Sequence, residues 1–338
     1  MTLFKAYIKG TGSFFPAKKL TNKDLEKLVD TNDQWIKERT GISSRSIAAD
    51  NETTSDLAYQ ASLQAIKSAN IKKTDIDFII LATATPDYPM PNTACLVQHK
   101  LGIQNCPALD MSAACSGFVY ALSVANQFIQ TGTYKNILVI GAEVLHNFVN
   151  YTDRNTCILF GDGAGATILS RNEQCDDSVN NSINDRGIAS HHLGADGSQS
   201  DLLEVPAGGS AQVITPEILK NHGHCVVMKG KELFKEAVLS MSQRCTEALE
   251  KNNLTNKDID WVIPHQANTR IINAVAKQLD VPLEKVINEI KNMGNTSAAT
   301  VPMALDIAVK DGRIKKGHWV LLVAFGSGLT SGSVLLKY

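Results

Sequence analysis

The chain has 338 residues, enough for one large domain or two fused ones, and a net charge of −1 that gives no electrostatic case for nucleic-acid binding. Its composition, 43% hydrophobic and 20% charged, is that of an ordinary globular protein, and no run reaches the roughly 20 apolar residues of a membrane span. The start, "MTLFKAYIKG", is too short and too broken by lysine for a secretory signal, and seven scattered cysteines without CxxC spacing speak for a reducing cytosol rather than disulfides or zinc.

In chain order, Leu57, Ala61, Leu63, Ala65 and Ile66 give a helix pattern, followed by "DID" and the apolar strand Phe78–Ala82. "CPALDM" reads as a short strand end, and Phe118, Leu122, Ala125, Phe128 and Ile129 then follow helical spacing up to Gly132, placed as a C′ residue. A strand over Ile137–Ile140 comes next. "GDGAGA" (Gly161 to Ala166) lacks the Gly-Lys-Ser/Thr ending of a phosphate loop and precedes the strand "TILS", so it reads as a tight turn between strands. "RNEQCDDSVNNSINDR", from Arg171, is polar and aperiodic and reads as a surface loop; Asp196 to Gly223 reads as a second loop or excursion. A helix pattern through Phe234, Ala237, Val238, Met241, Cys245 and Leu249 precedes strands at Val262–Ile263 and Val320–Ala324.

The chain repeats itself. "IKKTDIDFIILATATPD" and "LTNKDIDWVIPHQANTR" share one pattern, with Asp75 matched to Asp258, an offset of 183 residues. "NILVIGAEV" and "HWVLLVAFGSG" fall at nearly the same offset, and "GATILS" and "GSVLLKY" close the two halves. Continuously apolar strands suit a sheet covered by helices on both faces. The predicted fold is a layered α/β protein of two duplicated halves, 1–171 and 172–338.

Cys115 in "DMSAACSGFVYAL" falls at a strand-to-helix turn among small side chains. Unpaired N–H groups and the helix dipole there favour a thiolate, and small neighbours admit an acyl group. A buried cysteine capping a packed helix fits this stretch equally well. Partners come from the second half. His265 in "PHQANTR" follows an apolar strand, and Asn295 in "NMGNTSAAT" precedes a small-residue helix start, to which the offset of 183 carries Cys115, at Ala298. Singly, each could be a hydrogen-bonded loop histidine or an N-cap asparagine.

With "TNDQWIKERTGI", "DMSAACSGF", "YTDRNTCILFGDGAGA", "PHQANTRI", "NMGNTSAA" and "AFGSGLTSGS" in order along nearly the whole chain, the sequence resembles the β-ketoacyl-acyl carrier protein synthases III of the thiolase superfamily. The resemblance implies a thiolase-like αβαβα fold and a decarboxylative Claisen condensation that initiates fatty acid synthesis, with acetyl-CoA the expected primer. Cys115 would attack the acyl-CoA, the backbone N–H groups of Cys115 and Gly326 would hold the oxyanion, and neutral His265 and Asn295 would donate hydrogen bonds to malonyl-acyl carrier protein as carbon dioxide leaves.

It further implies that Trp35 and Arg154 sandwich the CoA adenine, with Arg39 and Asn268 as additional CoA contacts. Arg270, Lys277 and Lys235 would meet the acidic carrier protein. Where the family often places an aromatic that shapes the acyl pocket across a dimer, this chain has Met90, with Tyr88 two residues away; Phe325 is a further pocket residue. No metal or redox cofactor is expected, coenzyme A thioester being a substrate, and a cytoplasmic homodimer is implied. Competing readings are a related condensing enzyme or acyltransferase with another acyl-CoA or acceptor, a Cys-His-Asn thioester hydrolase, and a non-catalytic acyl-binding scaffold.

Overall fold

The computed structural model describes residues 3–172 and 186–338. The loop expected from Arg171 to Arg186 therefore lies, for 173–185, outside the described residues, while Arg171 and Asn172 end a strand. The first part runs β1 (Lys5–Phe14), β2 (Lys18–Thr21), α1 (Asn22–Leu25), α2 (Asp33–Thr40), β3 (Ser44–Ile47), α3 (Thr54–Ala69), β4 (Phe78–Ala82), α4 (Thr93–Leu101), β5 (Ala108–Met111), α5 (Gly117–Gln130), β6 (Asn136–Glu143) and β7 (Gly163–Asn172). Then come β8 (Gly187–Ala195), β9 (Leu203–Glu204), α6 (Pro216–Lys220), β10 (Val227–Met228), α7 (Gly230–Lys251), β11 (Trp261–Pro264), α8 (Thr269–Gln278), α9 (Thr300–Lys310), β12 (Trp319–Gly326) and β13 (Thr330–Lys337). The excursion expected from Asp196 to Gly223 holds β9 and α6.

The first large sheet has the order β1-β7-β6-β4-β5 and the second β8-β13-β12-β11, the same order once repeated elements are matched. A fifth strand in the second sheet is reduced to one parallel bridge, Val262 to Val286, at the place where Ile79 pairs with Ala108 in the first. The duplication reaches single dihedral angles. Asn70 and Asn253, 183 residues apart, leave their helices at φ 52° and 54°, and Ala114 and Ser297, at the same offset, take φ 45° and 48°. A left-handed non-glycine residue costs roughly 1–2 kcal/mol, so each turn is held by what surrounds it.

Alternation along the central strands separates the layers. Ile80, Val139, Val320 and Leu322 face a core shared with Phe118 and Leu122 of α5 and Leu305 of α9. Their neighbours Ile79, Leu81, Leu138 and Ile140 face α3 and α4, and Leu321 and Val323 face α7. With both faces covered, the strands are apolar throughout, and the result is five layers, α-β-α-β-α. The glycines of "GDGAGA" differ from the expected turn: Gly163 and Gly165 lie inside β7. A Cβ on Gly165 would stand 2.6 Å from the Met303 backbone nitrogen, so the residue is small because α9 crosses the strand there.

The ends of the two central strands brace opposite halves. At the end of β6, a Cβ on Gly141 would lie 2.3 Å from the Ala298 carbonyl oxygen. At the end of β12, a Cβ on Gly326 would lie 2.6 Å from the Cys115 backbone nitrogen. Each sheet thus presses a side-chain-free strand end against the turn contributed by the other half.

Candidate active site

Cys115 sits in a single tight turn, Ala114–Ser116, between β5 and α5 and is 7% exposed. It lines a cavity of about 490 Å³ together with His265, which follows β11, and Asn295, which precedes the equivalent turn Ser297–Ala299. Trp35, Arg39, Asn268, Arg270 and Phe325 line the same cavity. The structure therefore gathers the cysteine, histidine and asparagine that the sequence places 180 residues apart at most.

Burial sets the protonation of the two titratable groups. It lowers His265 to about 3, so the imidazole is neutral. Its Nδ1 lies 2.6 Å from the Thr300 hydroxyl, which in turn is 3.0 Å from the Ser297 carbonyl oxygen. Burial also pushes the Cys115 thiol up to about 12, against a hydrogen bond from Ser297 that favours the thiolate, and nearby Glu143 raises it further. Loss of solvent thus works against the thiolate that the helix N-terminus is expected to favour.

Asn295 is oriented by its surroundings. Its Oδ1 accepts the Ser297 N–H at 2.9 Å, which leaves the amide NH₂ as a donor. Its backbone is tied to the segment before β7, its N–H donating to the Leu159 carbonyl and its carbonyl accepting from Gly161. Asn268 caps α8, its side chain accepting from the Arg270 N–H at 2.8 Å.

Arg154 does not line the cavity; its guanidinium lies over the Trp35 ring, 4.7 Å from the centroid, and donates to the Asp30 carbonyl at 2.9 Å. Arg39 approaches the same ring at 5.5 Å. Arg270 stands at the cavity beside Phe234, 5.8 Å from its centroid, whereas Lys235 on α7 and Lys277 on α8 are exposed and off the cavity. Met90 is 82% exposed and Tyr88 56% exposed, and neither reaches the cavity of its own chain.

Sequence reasoning missed Glu143, Ser297 and Thr300. Glu143 is fully buried, and its carboxylate accepts from Thr85 Oγ1 at 2.7 Å, Ala84 N at 3.0 Å, Thr83 Oγ1 at 3.1 Å and Ala298 N at 3.4 Å. Its position as the last residue of "NILVIGAE" gave no sign of a site. Ser297 had a signal, because the offset of 183 matches it to Ala114, next to the cysteine. Among the described residues no group of three His, Cys, Asp or Glu side chains could hold a metal ion, and no helix is long and apolar enough to cross a membrane.

Five αβαβα layers in which the inner helix of each half starts at a tight turn, one turn bearing the cysteine, define a thiolase-like acyltransferase. The 3-oxoacyl-[acyl-carrier-protein] synthase III family model matches residues 109–197, and that of its C-terminal part matches residues 249–338. The chain is 51% identical over 331 residues to the beta-ketoacyl-[acyl-carrier-protein] synthase III of Xanthomonas campestris pv. campestris, covering 98% of each, and 50% identical over 333 residues to that of Caldanaerobacter subterraneus subsp. tengcongensis, again covering 98% of each. The crystal structure of 3-oxoacyl-[acyl-carrier-protein] synthase III from Aquifex aeolicus VF5 superposes with a TM-score of 0.89 at 46% identity, over 98% of this chain and 100% of that one. The chain belongs to the 3-oxoacyl-[acyl-carrier-protein] synthase III family and is an acyltransferase.

Proposed function

We propose that the protein joins an acyl-CoA primer, acetyl-CoA first among candidates, to malonyl-acyl carrier protein by a ping-pong mechanism through acyl-Cys115, the initiating condensation of fatty acid synthesis. The observation that carries this reading is the meeting of Cys115, His265 and Asn295 at one cavity. The Cys115 sulfur attacks the thioester carbonyl and coenzyme A leaves. The backbone N–H groups of Cys115 and Gly326 hold the oxyanion, which the close packing of Gly326 on the Cys115 nitrogen supports.

Malonyl-acyl carrier protein then loses carbon dioxide while the Asn295 NH₂ and the His265 Nε2–H donate to the thioester carbonyl, and the carbanion attacks the acyl-Cys115 carbon to give the 3-oxoacyl product. The Thr300 hydroxyl has one proton and two neighbours, His265 Nδ1 and the Ser297 carbonyl. Given to Nδ1, it leaves the imidazole proton on Nε2, the tautomer this role needs. Thioester chemistry on these groups asks for no metal or redox cofactor.

Trp35 and Arg154 take the adenine between them, which requires the guanidinium to lift from the indole face it covers. Arg39 and Asn268 bind the rest of CoA, and Arg270, Lys235 and Lys277 form the carrier-protein contact. The protein acts as a cytoplasmic homodimer in which exposed Met90 and Tyr88 of one chain close the acyl pocket of the other beside Phe325, and the halves 1–171 and 172–338 each supply part of the site. The priming β-ketosynthase of the R1128 polyketide pathway is a more distant relative, at 32% identity and TM-score 0.89, which favours the fatty-acid reading.

Intact mass after mixing with acetyl-CoA tests the proposal. The wild type gains one acetyl group, Cys115→Ala gains none, and His265→Ala and Asn295→Ala gain it but make no 3-oxoacyl product with malonyl-acyl carrier protein. An unmodified wild-type mass across a panel of acyl-CoA lengths would sink the proposal.

A further inference from the structure

Arg45, on β3, is fully buried and does not line the cavity. Among the described residues its hydrogen bonds go to neutral oxygens. Nε and Nη2 donate to the Ile158 carbonyl, the first at 3.1 Å, and Nη1 donates to Asn22 Oδ1 at 2.6 Å. Its stem fills space that two glycines leave open: a Cβ on Gly161 would stand 3.2 Å from Arg45 Cβ, and one on Gly294 2.9 Å from its Cγ. Burial draws the guanidinium down to about 10, so it stays charged at neutral pH. A buried cation without a counter-ion is costly, and a methionine would fill the same space without that penalty. What methionine lacks is the fork of donors.

Each arm of that fork leads to the site. Ile158 opens the segment whose next residues hold Asn295. The Leu159 carbonyl accepts the Asn295 N–H at 2.9 Å, the Gly161 N–H donates to the Asn295 carbonyl at 3.0 Å, and Phe160 pairs with Asn295 as an isolated parallel bridge. The glycines against the arginine stem are Gly161 itself and Gly294, the residue before Asn295. β3 runs alongside, its Ser46 carbonyl accepting the Asp162 N–H at 2.8 Å. The other arm reaches Asn22, whose Nδ2 donates to Asp33 Oδ1 at 2.9 Å, at the start of the helix that brings Trp35 and Arg39 to the cavity. We propose that Arg45 is the positioning residue for Asn295, holding its backbone where the amide NH₂ meets the malonyl thioester carbonyl. The Cys115 turn is held from elsewhere: the Thr330 hydroxyl lies 3.1 Å from the Ala113 carbonyl, and Ser116 Oγ donates to the Thr330 carbonyl at 3.1 Å. Arg45 therefore serves condensation and not acylation.

This role rests on Asn295 acting in condensation, and the experiment tells the two apart. Wild type, Arg45→Met, Arg45→Lys and Asn295→Ala are compared in each half-reaction. Acetylation of Cys115 by acetyl-CoA is followed by rapid-quench intact mass, and condensation by the 3-oxoacyl product formed with malonyl-acyl carrier protein. Circular dichroism checks that each variant is folded. Arg45→Met should acetylate within about twofold of the wild type, while its kcat for condensation falls at least about tenfold and the KM for malonyl-acyl carrier protein holds. Arg45→Lys, which keeps the charge and one donor toward Ile158, should retain more of the condensation than Arg45→Met. Equal losses in the two half-reactions would make Arg45 a packing residue and overturn the proposal. So would a folded Arg45→Met that condenses at the wild-type rate, or an Arg45→Lys that condenses no faster than Arg45→Met. Should Arg45→Met not fold, Arg45→Lys decides by the same comparison of half-reactions. An Asn295→Ala that condenses at the wild-type rate overturns the Asn295 assignment and the proposal with it, whereas the Arg45 outcomes leave that assignment standing.

Discussion

At the scale of single residues, the site is a set of protons with few places to go. Thr300 is the clearest case. Its hydroxyl stands between His265 Nδ1 and the Ser297 carbonyl, and donating its proton to Nδ1 rather than to the carbonyl favours the tautomer in which the imidazole donates from Nε2. Thr300→Val keeps the branched shape and removes that proton. We expect it to acylate at the wild-type rate in the mass assay while condensation with malonyl-acyl carrier protein falls at least tenfold, roughly the worth of one misplaced catalytic hydrogen bond. Equal loss in both half-reactions would assign Thr300 to packing. Which residues meet at the cavity was partly legible in the sequence. Cys115, His265 and Asn295 stand in runs of small or turn-forming residues that mark them. Glu143 ends an apolar strand and looks like any residue leaving a sheet, because its partners Thr83, Thr85 and Ala298 are distant in the chain. The high pKa of the Cys115 thiol was equally hidden, since a helix start is local and desolvation is a property of everything packed around it.

Elements position these residues by close approach rather than by side-chain contact. β6 ends at Glu143, and two residues before it Gly141 lies against Ala298 of the second-half turn. A methyl group at Gly141 would sit 2.3 Å from the Ala298 carbonyl, a separation that real Cβ atoms do not show. Gly141→Ala should therefore displace the turn that carries Asn295 and Ser297. We expect a loss of about 1–3 kcal/mol in denaturant unfolding, the usual cost of overpacking, together with a fall in condensation larger than the fall in Cys115 alkylation. The strands themselves were readable because both faces of each sheet are covered, which makes Phe78–Ala82 and Val320–Ala324 apolar without a break. Gly163 and Gly165 were misread as a turn, since a strand glycine that admits a crossing helix has the same local signature as a turn glycine.

For the molecule as a whole, burying the site has a cost that pH exposes. His265 titrates near 3 in the fold and near 6.5 in a solvated chain. Between those values the unfolded chain binds a proton that the fold refuses, so this contribution to stability is complete above about pH 6.5 and is lost as pH falls toward 3. The denaturant midpoint should drop between pH 7 and pH 5 in the wild type and drop less in His265→Asn, whose side chain has no such proton. Identical drops would mean that His265 is solvated. The two-layered repeat was legible at this scale through "DID" and its partner, and the offset of 183 then led to the second turn. The path from one turn to the other, strand end against opposite turn, was not legible, because it crosses between halves and leaves no periodic mark.

That crossing has a consequence for how the protein comes apart. Gly141 holds the second-half turn and Gly326 holds the first-half turn, so each half carries a support the other cannot work without. Local opening at the end of β6 frees the turn that carries Asn295, and local opening at the end of β12 frees the turn that carries Cys115. The site is therefore complete only while both sheet ends are closed, and it lasts no longer than the less stable of the two.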